Sequence, residues 1–216
     1  MKIEYFGHAC FCIETENGLK ILTDPYTKVG YELPTGITAD VVLVSHSHFD
    51  HNYLPAVNGE PFVLDCEKEV LLNGARIVGK PTWHDPAQGA LRGSNLIFKI
   101  QTEGVMIAHF GDLGESYSQE VAEKLAGADV WMIPVGGTYT IDAKQAKEYI
   151  EKLSPKLVIP MHFRPEDGKL DIAPIDVFLQ EMNAYPMETC TSGQAYITKE
   201  ILPNYGTKIL YMERRK

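Results

Sequence analysis

The run Val41-Val42-Leu43-Val44 ends in Ser45-His46-Ser47-His48-Phe49-Asp50-His51. A short, unbroken apolar run bounded by turn residues predicts a strand buried on both faces, and such strands belong to sheets covered on both sides. The chain therefore has to build a layered sheet structure and place three imidazoles and a carboxylate at one strand end. His46 and His48 lie two apart where the chain leaves the strand, so both rings can face one side. Asp50 and His51 fall at the expected start of a helix, where adjacent side chains diverge and can serve two neighbouring centres. Only 7 histidines occur in 216 residues, so this spacing points to metal ligation rather than to a solvated loop.

A metal needs more donors than this loop supplies. His84 closes the run Arg-Ile-Val-Gly-Lys-Pro-Thr-Trp-His, His162 closes Leu-Val-Ile-Pro-Met-His, and Asp112 lies in Gly111-Asp112-Leu113-Gly114 just past a third apolar run. Asp24 ends Ile21-Leu22-Thr23-Asp24 in the same way. Strand ends are where side chains from distant segments converge on one sheet edge.

The remaining pattern predicts strands at 2–6 and 10–15, a turn at Asn17-Gly18, and a strand at 19–23. Short helices are expected at 52–57 and 66–73, around a strand at 62–64. Further strands are expected at 75–82, 95–102, 105–109, 130–135 and 157–161, with short ones in the last thirty residues. Helices are expected at 118–125, at 143–152 capped by Asp142, and at 174–182. This is an α/β (α+β) layout, one domain over 1–216, with two packed sheets and helices outside. Such a length buries roughly 70% of the unfolded surface without a disulfide framework.

Lys plus Arg number 20 against 29 Asp plus Glu, a net charge of −9, which disfavours nucleic acid and anionic membranes as partners. No apolar run is long enough to span a bilayer, and the N-terminal segment lacks the unbroken apolar stretch of a secretory signal. Cys10 and Cys12 point to one face of a strand, a poor arrangement for a mutual disulfide, so reduced thiols in the cytoplasm are expected.

Asp24, His46-x-His48-x-Asp50-His51, His84, Asp112 and His162 resemble, in order, the five motifs of the metallo-β-lactamase fold superfamily. The contexts Gly7 to Glu14, Gly111 to Gly114, Pro134 to Asp142 and Val158 to Phe163 are similar to its metal-dependent hydrolase branch, which includes ascorbate-6-phosphate lactonase relatives. The resemblance runs from about residue 2 to at least 163. It implies an αββα sandwich, two mixed sheets with helices on both outer faces, and two divalent metal ions at one edge. His46, His48 and His84 would hold the first metal and Asp50, His51 and His162 the second, with Asp112 bridging. Zinc is the expected ion, with manganese or iron as alternatives. A donor set of imidazoles and carboxylates without thiolate suits all three. Asp24 resembles the family residue that orients the ligand loop, against a simpler role in a strand-ending turn before Pro25.

The implied activity is hydrolysis of an ester, lactone or phosphodiester in a small anionic substrate by hydroxide held between two metals. RNA or DNA phosphodiester cleavage and a mononuclear-iron dioxygenase on the same fold are the alternatives. Asp50, Asp24 and His8 are the side chains expected at the catalytic centre. His8 either approaches the metals or makes a structural hydrogen bond. His109 is expected to support the site rather than ligate. Arg92, Arg164 and Tyr139 are candidate substrate contacts, and the terminal run Glu213 to Lys216 reads as a solvated tail. Homo-oligomerisation is left open.

Overall fold

A computed structural model describes residues 1–215. The regular structure of the first half is strand, apart from one 3₁₀ turn. It contains β1 (Lys2–Gly7), β2 (Cys10–Glu14), β3 (Lys20–Thr23), β4 (Ile37–Thr38), β5 (Val41–Leu43), β6 (Val57–Asn58), β7 (Phe62–Leu64), β8 (Glu69–Leu72), β9 (Ala75–Trp83), β10 (Ser94–Thr102) and β11 (Val105–His109). Helices then alternate with strands: α1 (Gln119–Leu125), β12 (Val130–Pro134), α2 (Ala143–Leu153), β13 (Leu157–Met161) and α3 (Ile175–Glu181), followed by β14 (Met187–Cys190), β15 (Gln194–Tyr196) and β16 (Lys208–Met212).

Two mixed sheets result. The first has the order β15-β1-β2-β3-β5-β7, and the second β14-β16-β13-β12-β11-β10-β9-β8. Antiparallel hairpins β1–β2–β3 and β8–β9–β10–β11 start each sheet, and the segments carrying VVLV, VWMIP and LVIPM join in parallel. Side-chain alternation divides the first sheet between two apolar clusters. Ile3, Phe11, Ile13, Ile21 and Leu43 share a cluster with Ile77, Phe98 and Ile107 of the second sheet, while Cys10, Cys12, Leu22, Val42 and Val44 face the other way.

Helix α2 is fixed at its start by a capping box between Asp142 and Gln145 and buries Ala143, Ala146, Tyr149 and Ile150. Ser118 accepts from Val121 N to cap α1. These helices add their apolar faces to the cluster of the second sheet. Over the first sheet the helical layer is reduced to a single 3₁₀ turn, Leu54–Ala56, and the cover is completed by Tyr26, Val29, Tyr31 and Ile37 from the long connection after β3.

Two local expectations are corrected. The segment 66–73 holds the edge strand β8 (Glu69–Leu72) instead of a helix, because Val70 and Leu72 turn inward while Glu69 and Leu71 face solvent, a period of two. Residues 52–57 make only the 3₁₀ turn Leu54–Ala56, because Val57 already takes extended backbone and pairs in β6 with β4. The C-terminal run is not a solvated tail. Arg214 stacks on the Tyr31 ring at 3.8 Å and pairs with Asp167 at 2.7 Å, and Arg215 pairs with Glu4. Lys216 lies outside the described residues.

Candidate metal centre

The site residues stand where strands end at the shared edge of the two sheets. Asp24 follows β3, the 46–51 loop follows β5, His84 follows β9, Asp112 follows β11 and His162 follows β13. His8 sits in the tight turn between β1 and β2. The 46–51 segment is a turn rather than the expected helix start, closed by His51 N donating to His48 O at 3.0 Å. Three of these residues occupy left-handed backbone: His8 (φ 54°), Asp24 (φ 38°) and His162 (φ 52°). Such conformations are costly for non-glycine residues and persist only where surrounding structure enforces them. Gly111 (φ 54°) has a further reason to be glycine, since a Cβ would lie 2.3 Å from Asn95 Oδ1.

Hydrogen bonds on the outer ring nitrogens fix which nitrogen each histidine presents. His51 Nδ1 lies 3.0 Å from the Asp24 carboxylate, an acceptor only, so Nδ1–H donates and Nε2 faces inward. Asp24 also accepts from Ser45 N and Ser45 Oγ, both at 2.7 Å. The spent Ser45 hydroxyl then accepts from His46 Nδ1 at 2.9 Å. His84 Nδ1 donates to the Tyr139 carbonyl at 3.1 Å. Partners of this kind orient imidazoles for metal binding.

The inward nitrogens surround Asp112, which is buried. Its Oδ2 lies 3.2 Å from His162 Nε2, 3.3 Å from His84 Nε2 and 3.9 Å from His46 Nε2. Its Oδ1 is 3.2 Å from His51 Nε2. His46 Nε2, both ring nitrogens of His162 and Asp112 Oδ1 are buried without a hydrogen-bond partner among the described residues. Buried polar atoms are normally partnered, and His46 Nε2, His162 Nε2 and Asp112 Oδ1 converge on one region, so this donor set fits a divalent cation. The donor atoms fall into three overlapping groups, each within 4.8 Å: His46, His48 and His84; His46, His51 and Asp112; and His8, Asp50, His51 and His162. Nitrogen and carboxylate oxygen donors without sulfur suit zinc, manganese or iron.

The electrostatics follow from burial and crowding. Burial pushes His46 down to about 3 and, helped by neighbouring His162, pushes His8 down to about 4. Both rings are therefore neutral lone-pair donors near neutral pH. Burial acts against His51 too, but Asp112 and Asp24 outweigh it and hold its imidazole well above the ordinary histidine value. Burial would raise Asp112, yet His162 and His51 keep its carboxyl well below the usual range. Asp50 is likewise lowered against burial by His8 and His51.

The remaining candidates divide. His109 Nε2 donates to Ala9 O at 2.9 Å, tying β11 to the His8 hairpin, and its Nδ1 accepts from Gly111 N at 3.3 Å. Tyr139 is 38% exposed, and Arg92 lies over its ring at 5.6 Å while donating to Thr138 O. Arg92 lines a cavity of about 460 Å³ together with Ser45, His46, His48 and Asn95. Arg164 is exposed, and its backbone N–H donates to Ala173 O. Sequence reasoning missed Ser45, Asn95 and Asp85. Asn95 accepts from Asp112 N at 2.8 Å and donates to Thr82 Oγ1 and Phe110 O. Asp85 accepts from four backbone N–H groups and shapes the loop that carries Arg92. Asp85-Pro86 is a turn signal that could have revealed it; Asn95 carries no such mark.

This edge-of-sheet cluster on two packed mixed sheets defines a metal-dependent enzyme of the metallo-β-lactamase type. A family profile described as a beta-lactamase superfamily domain matches residues 2–162. A UPF0173 metal-dependent hydrolase from Carboxydothermus hydrogenoformans is 30% identical over 192 residues, covering 76% of this chain and 84% of the relative. A Thermotoga maritima structure classed as a zinc-dependent hydrolase of the metallo-β-lactamase superfamily superposes with a TM-score of 0.77 at 34% identity, over 98% of this chain and 99% of that one. A metallo hydrolase from Ignicoccus hospitalis shares the fold, with a TM-score of 0.63 at 22% identity over 85% and 90% of the two chains. The chain belongs to the metallo-β-lactamase superfamily, within its branch of metal-dependent hydrolases.

Proposed function

We propose that this chain is a two-metal hydrolase, with His46, His48 and His84 at one ion, Asp50, His51 and His162 at the other, and Asp112 between them. The observation that carries this reading is the reach of one carboxylate to both sides: Asp112 lies within 3.3 Å of His84 on one flank and of His51 and His162 on the other. These residues would hold two divalent ions, whose Lewis acidity would lower the pKa of a water toward about 7 without any serine or cysteine nucleophile. Asp24 and Ser45 hold the 46–51 loop in place, and Tyr139 O orients His84.

The substrate is a small anionic ester, lactone or phosphodiester. Supporting this are the cavity of about 460 Å³ beside His46 and His48 and the Arg92 cation in its wall. The net charge of −9 disfavours a polynucleotide. No helix among the described residues is long and apolar enough to cross a membrane, and the four cysteines are free, which fits a reducing cytoplasm.

The test is elemental analysis of protein purified without chelator, followed by turnover assays on lactones, esters and phosphodiesters. About two zinc or manganese ions per chain with turnover of one class is the expected result. One tightly held iron with oxygen consumption, or cleavage of RNA in preference to all small substrates, overturns it.

A further inference from the structure

We infer that His8 is itself a ligand of the second metal, so that this position is filled by protein and the substrate meets the first metal. The inference rests on the two-metal reading above. His8 Nε2 lies 3.1 Å from His51 Nε2 and 3.2 Å from Asp50 Oδ2, and its donor atom shares a group within 4.8 Å with those of Asp50, His51 and His162. Metal–nitrogen bonds of about 2.1 Å put adjacent ligand atoms about 3.0–3.4 Å apart and opposed ones about 4.2 Å apart. Both spacings at His8 Nε2 match adjacent ligand positions, and His51 Nε2 to Asp50 Oδ2, at 3.9 Å, falls between adjacent and opposed ones. His51 Nδ1–H is committed to Asp24, so His51 Nε2 and His8 Nε2 address the same point.

The backbone shows that the ring is held there. His162 N donates to His8 O at 2.8 Å, and Tyr5 OH donates to the same carbonyl at 3.1 Å. This pins together two left-handed residues and sets their rings 4.2 Å apart. A ring serving only to pack would not need strained backbone on both partners.

The two positions then differ. His8, His51 and His162 are at most 1% exposed and, with Asp50 and Asp112, give the second metal five protein donors. The first has His46, His48, His84 and Asp112, with His48 exposed and the 460 Å³ cavity alongside. An open coordination position marks the catalytic side of a metal site.

Nitrogen NMR of ¹⁵N-histidine-labelled full chain, free of metal and after zinc loading, tests this. Six of the seven imidazoles should move to metal-bound shifts, leaving His109 alone. In His8→Ala, chelator competition should show the second zinc weakened by more than about 100-fold, beyond the 10–100-fold typical of losing a residue that only orients a ligand. The first should stay within about threefold. Two bound zincs with only five shifted imidazoles overturn the inference and leave the two-metal reading intact. A wild-type chain that binds one zinc overturns both. If His8→Ala does not fold, the imidazole count in the wild-type chain decides alone.

Discussion

His51 Nδ1 sits 3.0 Å from Asp24 Oδ2, and neither side chain has any exposed surface. The pair links residues 27 apart in sequence, and Asp24 also accepts from Ser45 N and Ser45 Oγ at the base of the same loop. Because the carboxylate fixes the tautomer, it decides that Nε2 is the nitrogen turned toward Asp112.

Asp24→Ala should therefore lower metal affinity by about 10–100-fold at the second position while the fold survives. Zinc titration against a competing chelator reads this directly. Wild-type affinity in that variant would reduce Asp24 to a turn residue before Pro25.

Asp112→Ala should be more severe, because its two oxygens face donors on both flanks. Both metals should loosen together and hydrolysis should fall to background. Elemental analysis after gel filtration separates this from loss at one position only. Retention of two metals and full turnover would show that the bridge is misassigned.

Much of this centre was legible because the physics of the fold and of the site coincide. Buried strands read as apolar runs, and a donor that must reach a sheet edge has to stand where a run stops, as His84, Asp112 and His162 do. Less legible were contacts whose partners lie far off in sequence. Asn95 and Asp112 are 17 residues apart, and nothing in Ser94-Asn95-Leu96 distinguishes a buried amide from a surface one. Arg214 and Arg215 read as a solvated pair, since Tyr31, Asp167 and Glu4 are too distant for any local pattern to reveal. The edge strand β8 was misread because four residues hold too few alternations to separate a strand from a helical turn.

Stability of the metal-free protein should depend on pH on both sides of neutrality. His8 and His46 have folded values of about 4 and about 3 against 6.5 unfolded, so the unfolded chain takes up protons first as pH falls. Stability present above about pH 6.5 is lost through that window, on the order of 3 kcal/mol from His8 alone. Asp24 and Asp112, lowered in the fold, add a further acid-side loss below their unfolded values. His51 is raised, so its contribution is complete below 6.5 and disappears as pH climbs through its folded value. Thermal melts in chelator should thus fall on acidification from pH 7 to 4 and again at alkaline pH. A constant Tm from pH 7 to 4 would contradict the burial of neutral His8 and His46.

Asn95→Ala should destabilise the chain by about 2–3 kcal/mol, because Asp112 N and Phe110 O lose their partners in a dry interior. The same change frees the Asp112 loop and should weaken both metals. Chemical denaturation of the metal-free variant measures the first effect apart from the second. A loss below about 0.5 kcal/mol would mean that water or neighbouring groups take over those bonds.

Arg92→Ala tests how the substrate is held rather than how the metals are. The guanidinium lies over the Tyr139 ring and borders the cavity beside His46 and His48, on a loop fixed by Asp85. Losing a charge-assisted contact costs about 1.5–3 kcal/mol, so KM for an anionic substrate should rise about 10–100-fold. Zinc content should not change, because no metal donor touches Arg92. A neutral ester of the same size should be nearly indifferent to the substitution, since it offers the cation nothing to pair with. Equal losses on the anionic and neutral substrates would instead show that Arg92 acts through the shape of the loop, and the charge preference would have to come from the metals alone.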